Sequence, residues 1–338
     1  MLAQHPGREQ LDFHGRQTTL KWILRKIGSE LPEHNAKLIL KNDYYEMAQG
    51  KKVSSRCITL AHLYKAAKMY GDRPIDGITR EDILVLVNMI DANGYSIHTA
   101  NRFKMVLKRF IAFMGKGKMA GEIRTLSSRK LYDMSIPEVL LTSQEMREIV
   151  DFCPDSMSKA LLSLLSETGL RIEEAITLKS NCIQFYNKDP VGAKLVVNGK
   201  TGKRVVPLIR CRCNSPNLAC NLLAEIINYD NEYVFMRYNR LRGKDAVLSY
   251  NQVMSLFGHI NAAKVIKKHI HPHMFRHTAA SRLYNWLTPI QLCDYMGWKR
   301  DSPMIGIYGR GCDLQTTNAL LRGYGMKEIS PQGLCVWC

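Results

Sequence analysis

The sequence contains no run of about 18 apolar residues, the length that a helix needs to cross a membrane. Its first residues, MLAQHPGREQLDFHGRQTTL, lack the apolar stretch of a secretory signal. We therefore expect a cytoplasmic protein without a membrane partner. The G-x-x-x-x-G-K-[ST] loop that binds nucleotide phosphates is also absent, which argues against ATP-driven chemistry.

Acidic residues are scarce relative to basic ones. The 30 Asp and Glu residues against 48 Lys and Arg give a formal net charge of +18 and a pI of about 9.5. A field of this sign attracts polyanions. The excess is concentrated between Arg102 and Lys130, where nine residues are basic and one is acidic. This stripe predicts a nucleic acid partner, with a merely solvated basic face as the alternative.

The chain has ten cysteines, yet disulfides are not expected without a secretion signal. Cys335 and Cys338 form a C-x-x-C pair with zinc-ribbon spacing, but tetrahedral zinc needs four ligands. Cys211, Cys213 and Cys220 are candidates for the others. We favour tail thiols and core cysteines over a structural zinc at Cys335 and Cys338.

The length of 338 residues is enough for two domains. Residues 1–35 are interpreted as a polar N-terminal extension with one short helix at LKWILRKIG. Residues 36–115 have the pattern of four helices, and the basic, Gly- and Ser-rich residues 116–138 that of a linker that touches the partner. Residues 139–328 form the expected second domain, and residues 329–338 a tail.

Local signals indicate a mainly helical fold with one small antiparallel sheet. Thr79 is a predicted helix N-cap, and Thr142 with Glu145 forms a capping-box pattern. Three β-like runs, CIQFYN, AKLVVN and RVVPLI, lie in the second domain, with a GKTGK turn between the last two. Helical patterns precede and follow these runs.

The helix predicted in SIHTANRFKMVLKRFIAFMG has two faces. Phe103, Leu107, Phe110 and Met114 form an apolar stripe, while its basic residues lie largely elsewhere. One face is thus available for a core and the other for phosphates. The residues predicted to contact DNA, here and in the second domain, are Arg102, Lys104, Lys108, Arg109, Lys116, Lys118, Lys203, Arg204, Lys267 and Lys268.

Residues suited to phosphate chemistry are scattered along the second domain. They are Arg171, Lys200, His273, Arg276, Trp298 and Tyr308. His273 and Arg276 are one helical turn apart, so their side chains can converge on one face. Taken singly, each residue is better explained as a surface, turn or core residue. Their occurrence together, in this order and context, is a much rarer coincidence.

The full motif set resembles that of the tyrosine recombinases, the phage-integrase superfamily, and most closely their archaeal-type branch. The matches are 168–174 to the T-G-x-R-x-x-E box, 199–208 to the G-K-x-x-K/R-x-V-x-L/P stretch, 272–277 to the P-H-x-x-R-H box, Gly297-Trp298 to the G-H/W box and Tyr308 to the nucleophile. The likeness covers about residues 36–326. Ten positions separate Trp298 from Tyr308, where the bacterial pattern usually has nine, and the archaeal-type branch is similar to the longer spacing.

The resemblance implies a two-domain, C-shaped DNA clamp with a helical SAM-like core-binding domain and a tyrosine-recombinase catalytic domain. It also implies that the helix after Tyr308, in TTNALLRGYGM, docks on a neighbouring protomer. An intramolecular core helix is the alternative. The expected partners are double-stranded DNA and further copies of the chain, with a free monomer or dimer and a tetramer on synapsed DNA.

The chemistry of phosphodiester cleavage suggests a role for each matched residue. Arg171 and Arg276 would neutralise the non-bridging oxygens, and Glu174 would orient these arginines. Because tyrosine has an ordinary pKa near 10, the nucleophile Tyr308 needs positive neighbours and a proton acceptor, here His273.

The remaining roles concern the departing oxygen, the phosphate and the energy that strand exchange requires. Lys200 would act as the general acid for the departing 5′ oxygen, and Trp298 would offer an indole N–H to the phosphate. The 3′-phosphotyrosyl link keeps the bond energy, so strand exchange is expected to need neither ATP nor a metal.

Three further histidines lie in or just before the P-H-x-x-R-H box. His277 is expected to pack as scaffolding against the helix core or the site wall. His269 and His271, flanked by Lys267 and Lys268, indicate a DNA-facing strand rather than a metal site.

The sequence therefore predicts a nucleoid-associated, site-specific DNA recombinase. Two alternatives are open: a type IB topoisomerase-like enzyme that nicks and reseals, and a non-catalytic DNA-binding regulator on the same scaffold.

Overall fold

The computed structural model describes residues 15–127, 140–186, 191–199, 202–213, 215–239, 243–302 and 304–308, together with 317–318, 321, 323, 327 and 335–337. The chain divides into two units, Met1–Ser135 and Ile136–Cys338. Both are mainly helical, and a small antiparallel sheet lies in the second, which confirms the predicted fold class. Within the described ranges, every helix is too short or too polar to span a bilayer.

The first unit is a bundle of helices around one apolar core. Its helices are α1 (Arg16–Glu30), α2 (Glu33–Ala48), α3 (Val53–Tyr70), α4 (Arg80–Ala92), α5 (Ile97–Phe113) and α6 (Gly117–Glu122). Thr79 caps α4 as predicted, because its side chain accepts from the Asp82 N–H and the Asp82 carboxylate accepts from the Thr79 N–H. On α5, Phe103, Leu107 and Phe110 are buried, in agreement with the predicted apolar stripe.

The first unit is larger than its expected helical domain. In α1, which falls in the expected extension, Leu20, Ile23 and Ile27 recur at helical spacing and are buried in the same core as α5. At the other end, Ala120 and Ile123 of the expected linker also join this core. The rest of the expected linker, from 128 onward, lies outside the described residues.

The second unit alternates helices and short strands. Its helices are α7 (Ser143–Asp151), α8 (Ser156–Thr168), α9 (Ile172–Ile176), α10 (Ala219–Ile226), α11 (Tyr250–Ala262), α12 (Pro272–Tyr284), α13 (Pro289–Met296) and α14 (Met304–Tyr308). Its strands are β1 (Ile183–Phe185), β2 (Val191–Gly199), β3 (Gly202–Ile209), β4 (Met236–Asn239) and β5 (Lys244–Val247).

The three predicted strands form one antiparallel sheet in the order β1-β2-β3. The β2–β3 ladder ends at the pair Gly199 and Gly202, where the turn was predicted. Leu195 and Val206, which pair across this ladder, both face the core. The separate β4–β5 hairpin was not predicted, because MRYN and KDAV are polar and show no clear alternation.

Helix α8 is the centre of the second core. Leu161, Leu162, Leu164 and Leu165 are fully buried, and α10 and α12 both pack against this helix. The buried hydroxyl of Thr278 on α12 accepts a hydrogen bond of 3.0 Å from the N–H of Leu141. This bond ties the start of the second unit to the helix that carries the P-H-x-x-R-H box.

Replacing Thr278 by Val keeps the side-chain volume but removes the acceptor for the buried Leu141 N–H. We expect Thr278→Val to lower the free energy of unfolding by about 1–3 kcal/mol, measured by urea denaturation. Thr278→Ser, which keeps the hydroxyl, serves as the control and is expected to lose less. A larger loss in the serine variant would contradict this role of the hydrogen bond.

Candidate active site

A buried carboxylate at the start of α9 holds two guanidinium groups. Glu174 Oε1 accepts from Arg171 Nη1 at 2.9 Å and from Arg204 Nη1 at 3.0 Å. Its Oε2 accepts from Arg204 Nη2 at 2.8 Å and from the Arg171 backbone N–H at 3.0 Å. The Glu174 side chain is only 3% exposed. The expected orienting contact between Glu174 and Arg171 is therefore present in the structure.

The guanidinium of Arg204 lies inside the protein rather than on a surface that could meet DNA, its predicted partner. Its side chain is 9% exposed, and its Nε donates to the Tyr295 carbonyl at 2.8 Å. Arg204 lies two and four positions before the buried Val206 and Leu208 on β3, so the strand's alternation turns it inward. That alternation was visible in the sequence. This placement corrects the prediction and favours a positioning role.

The electrostatics of the cluster keep Glu174 ionised. Burial raises the pKa of its carboxyl group, but hydrogen bonds and charge from Arg204, followed by those from Arg171, bring the pKa down to about 2. The carboxylate therefore stays negative at neutral pH and compensates the two neighbouring cations.

Two motif glycines are explained by the space that this cluster occupies. A Cβ on Gly199 would overlap Glu174 Oε1, and one on Gly297 would lie 2.7 Å from Arg204 Nη1. Gly297 also has a φ of 62°, in the left-handed region that favours glycine. The glycines of the G-K and G-W motifs thus let the backbone approach the ion pairs.

The second predicted arginine is anchored by backbone carbonyls. Arg276 is buried, and it donates from Nη1 to Gly169 O at 2.7 Å and from Nη2 to Met296 O at 2.6 Å. Arg171 Nη2 donates to the adjacent Gly297 O at 3.3 Å. The C-terminal end of α13 therefore brings together the two guanidinium groups that the sequence placed 105 positions apart.

Two aromatic side chains adjoin Arg276. The partly buried Trp298 places its ring centroid 5.6 Å from the Arg276 Cζ, within cation–π range. His273 is exposed in the first turn of α12, one turn before Arg276. Partial desolvation, followed by the charges of Arg276, His271 and Arg171, lowers the pKa of His273. Its imidazole is therefore neutral at pH 7 and able to accept a proton.

His277 lies behind His273 on the same helix. The two ring centroids are 6.4 Å apart. Desolvation, followed by the charges of His273, His271 and Arg276, lowers the pKa of His277 to about 4. A neutral, partly buried imidazole suits the predicted scaffolding role.

Two predicted catalytic side chains are not described. Lys200 lies outside the described residues, between the paired Gly199 and Gly202. Tyr308 is the last residue of α14, and only its backbone is described. Helix α14 packs against α12, which carries His273 and Arg276. The positions of the lysine amine and the phenol remain predictions.

The predicted DNA-contacting residues fall into two groups. The exposed ones are Arg102, Arg109, Lys118, Lys203 and Lys267, of which Arg109 also donates to the Met105 carbonyl at 3.3 Å. The others besides Arg204 have internal partners: Lys104 with Asp91 at 2.8 Å, Lys108 with Ile123 O at 3.2 Å, Lys116 with Ile78 O at 2.9 Å and Lys268 with Glu145 at 2.6 Å. The exposed group is the better candidate for phosphate contacts.

Comparison with known proteins gives the same picture. Residues 140–311, half of the chain, match the model of the phage integrase family. The chain is 28% identical over 214 residues to tyrosine recombinase XerA of Pyrococcus furiosus, covering 61% of this chain and 67% of the relative. It is 30% identical over 215 residues to XerA of Pyrococcus horikoshii, covering 61% of this chain and 66% of the relative. These alignments thus span about two thirds of each relative.

A solved structure shares the fold. A lambda integrase dimer bound to a COC′ core site superimposes with a TM-score of 0.61 and 20% identity, covering 85% of this chain and 81% of that chain. The match of residues 140–311 to the family model confirms the family resemblance predicted from the motifs.

Removing the negative charge of Glu174 should unbalance the cluster. We expect Glu174→Gln to lower the free energy of unfolding by about 3–5 kcal/mol, because two buried or partly buried guanidinium groups lose their counter-ion. Chemical denaturation at pH 7 measures this loss. The control Glu173→Gln removes the same charge from the exposed neighbour, with an expected change within about 0.5 kcal/mol. Equal losses in both variants would contradict a central role for the cluster.

The shifted pKa of His277 predicts a pH-dependent stability. As the pH falls from 6.5 to about 4, the unfolded chain takes up a proton at this imidazole and the folded chain does not. The free energy of unfolding should therefore decrease over this window, by at most about 1.4 kcal/mol per pH unit from this group. Denaturation at pH 7, 6 and 5 should show a shallower slope in His277→Gln. The same change of slope in His269→Gln, at an exposed histidine, would contradict the assignment.

Proposed function

The chain belongs to the phage integrase family and is a DNA breaking-and-rejoining enzyme of the tyrosine recombinase type, and we propose that it acts through the residues described above. The observation that supports this most directly is the meeting of Arg171 and Arg276 at the end of α13. Two positive groups with fixed positions suit one phosphate, and Glu174 holds one of them in place.

The two guanidinium groups address the main barrier to cleavage. The non-bridging oxygens of a phosphodiester repel a nucleophile, and their charge grows as the phosphorus becomes five-coordinate. Preorganised cations stabilise that growing charge without rearranging at the moment of reaction. Arg276 is buried and anchored to two carbonyls, so little reorganisation is needed there. Arg171 is more accessible, with a side chain 27% exposed.

The neutral imidazole of His273 can accept the proton that the nucleophile releases. Tyr308 attacks the phosphorus and gives its phenolic proton to His273, which is neutral at pH 7. The 3′ phosphate becomes linked to Tyr308, and Lys200 protonates the departing 5′ oxygen. The reverse attack by a 5′ hydroxyl restores the diester. The link conserves the bond energy, so the cycle needs no ATP and no catalytic metal.

The names of the relatives favour a recombinase over the alternatives. Both Pyrococcus relatives are named tyrosine recombinases. A recombinase joins strands from two DNA duplexes, whereas an enzyme that only reseals, or a regulator, needs a single duplex. We propose double-stranded DNA as the substrate and a tetramer on two synapsed duplexes as the active assembly. We propose that the phosphates of this DNA are contacted by the exposed Arg102, Arg109, Lys118, Lys203 and Lys267. A cytoplasmic, nucleoid-associated location would follow.

Covalent capture tests the nucleophile. Duplexes bound by the Tyr308→Phe protein are first selected from random sequences, and the enriched sites are rebuilt with a nick beside each phosphate in turn. We expect the unmodified protein to form an SDS-resistant adduct on one of these nicked duplexes, without ATP. The Tyr308→Phe variant should form none, and Tyr238→Phe, which changes an exposed tyrosine on β4, should form it normally.

The products separate the candidate functions. Joined strands from two different duplexes identify a recombinase. Resealing confined to one duplex would identify the topoisomerase-like enzyme instead. Binding of the selected sites without any adduct would leave a regulator and refute the proposed chemistry.

A further inference from the structure

Three cysteine sulfurs meet at a place that the catalytic chemistry does not use. Cys211 and Cys213 follow β3, and Cys335 lies 122 positions beyond Cys213. Their Sγ atoms all lie within 4.8 Å of one another. This grouping joins two motifs that the sequence presented separately, C-x-C and C-x-x-C. The earlier candidate Cys220 is buried and lies outside this group.

The spacing of the sulfurs distinguishes two kinds of link. Cys213 Sγ and Cys335 Sγ are 3.7 Å apart. A disulfide needs about 2.05 Å between its sulfurs. Tetrahedral zinc, with Zn–S bonds of about 2.3 Å, places neighbouring sulfurs about 3.8 Å apart. The observed distance matches the metal geometry.

We propose that Cys211, Cys213 and Cys335 bind a structural zinc ion. Cys338 lies outside the described residues, and its C-x-x-C spacing from Cys335 makes it the candidate for the fourth ligand that the sequence offers. A closed set of four thiolates is typical of structural zinc sites, and soft sulfur ligands select zinc over magnesium or calcium. The proposal reverses the preference for tail thiols drawn from the sequence alone.

The surroundings of Cys335 suit a bound thiolate. The Trp337 backbone N–H donates to Cys335 Sγ at 3.4 Å, a contact that stabilises negative charge on sulfur. The guanidinium of Arg282 interacts electrostatically with Cys335 and donates to the carbonyls of Ser166 and Glu167, each at 2.9 Å. Four thiolates and one Zn²⁺ carry a net charge of −2, and a nearby cation offsets part of it.

The tail beside the proposed site is seated in the protein. Val336 and Trp337 are buried, with exposed fractions of 1% and 6%. The Trp337 indole donates to Glu167 Oε1 at 2.7 Å, and the same oxygen accepts from the Ala219 N–H at 2.7 Å. These contacts fix Cys335 against α8 and α10. A tail held in this way presents its cysteine to Cys211 and Cys213.

Zinc at these cysteines would join the segment after β3 to Cys335, which lies 122 positions beyond Cys213. The metal would add to the Trp337 contacts that hold this tail against α8, and its loss should lower the stability of the second unit.

Metal analysis of the purified full chain tests the site independently of DNA cleavage. We expect about one zinc per chain by elemental mass spectrometry, and replacement by Co²⁺ should give the visible absorption of a tetrahedral thiolate site. Cys213→Ser, Cys335→Ser and Cys338→Ser should each lose most of the metal. Cys182→Ser, at a partly buried cysteine outside the group, is the matched control and should retain it.

A second measurement uses the unmodified protein, so it does not depend on whether the cysteine variants fold. Chelation of zinc from the unmodified protein should lower its melting temperature, and added Zn²⁺ should restore it. A chain purified without zinc that does not bind added Zn²⁺ would overturn the proposal. So would a disulfide between Cys213 and Cys335, detected by thiol counting. Full zinc retention in Cys338→Ser would overturn the four-cysteine assignment.

Discussion

The described site depends on one ionic interaction, that of the buried Glu174 carboxylate with Arg171 and Arg204. A buried ion without a partner costs several kcal/mol, so neither Glu174 nor Arg204 could stay inside the protein alone. Together they connect the start of α9 to β3, and Arg204 extends the connection to the carbonyl of Tyr295 on α13. Helix α9, strand β3 and helix α13 are thereby held together around the side chain of Arg171.

Backbone geometry supplies the rest of the phosphate site. Arg276 is bound by the carbonyls of Gly169 and Met296, and Arg171 also reaches the carbonyl of Gly297. Carbonyl acceptors belong to the chain itself, so the positions of both guanidinium groups follow from where α8 and α13 end. Gly297 is required there because a side chain would collide with Arg204.

The proposed zinc site and the catalytic cluster have different roles. The cluster fixes charges that a phosphate would meet, whereas the metal would join the segment after β3 to Cys335. The buried Trp337, bonded to Glu167 on α8, shows that the tail belongs to the packed second unit. A metal can therefore stabilise this unit and take no part in the chemistry.

The sequence by itself determined the features that depend on near neighbours. The N-cap at Thr79, the capping box at Thr142, the turn after Gly199 and the motif that pairs His273 with Arg276 all follow from short-range spacing. Only the tertiary structure decided the role of Arg204, which meets Glu174 across 30 positions, and the grouping of Cys213 with Cys335 across 122. The physical reason is that charge pairing and metal geometry depend on distances in space, and chain spacing does not encode those distances.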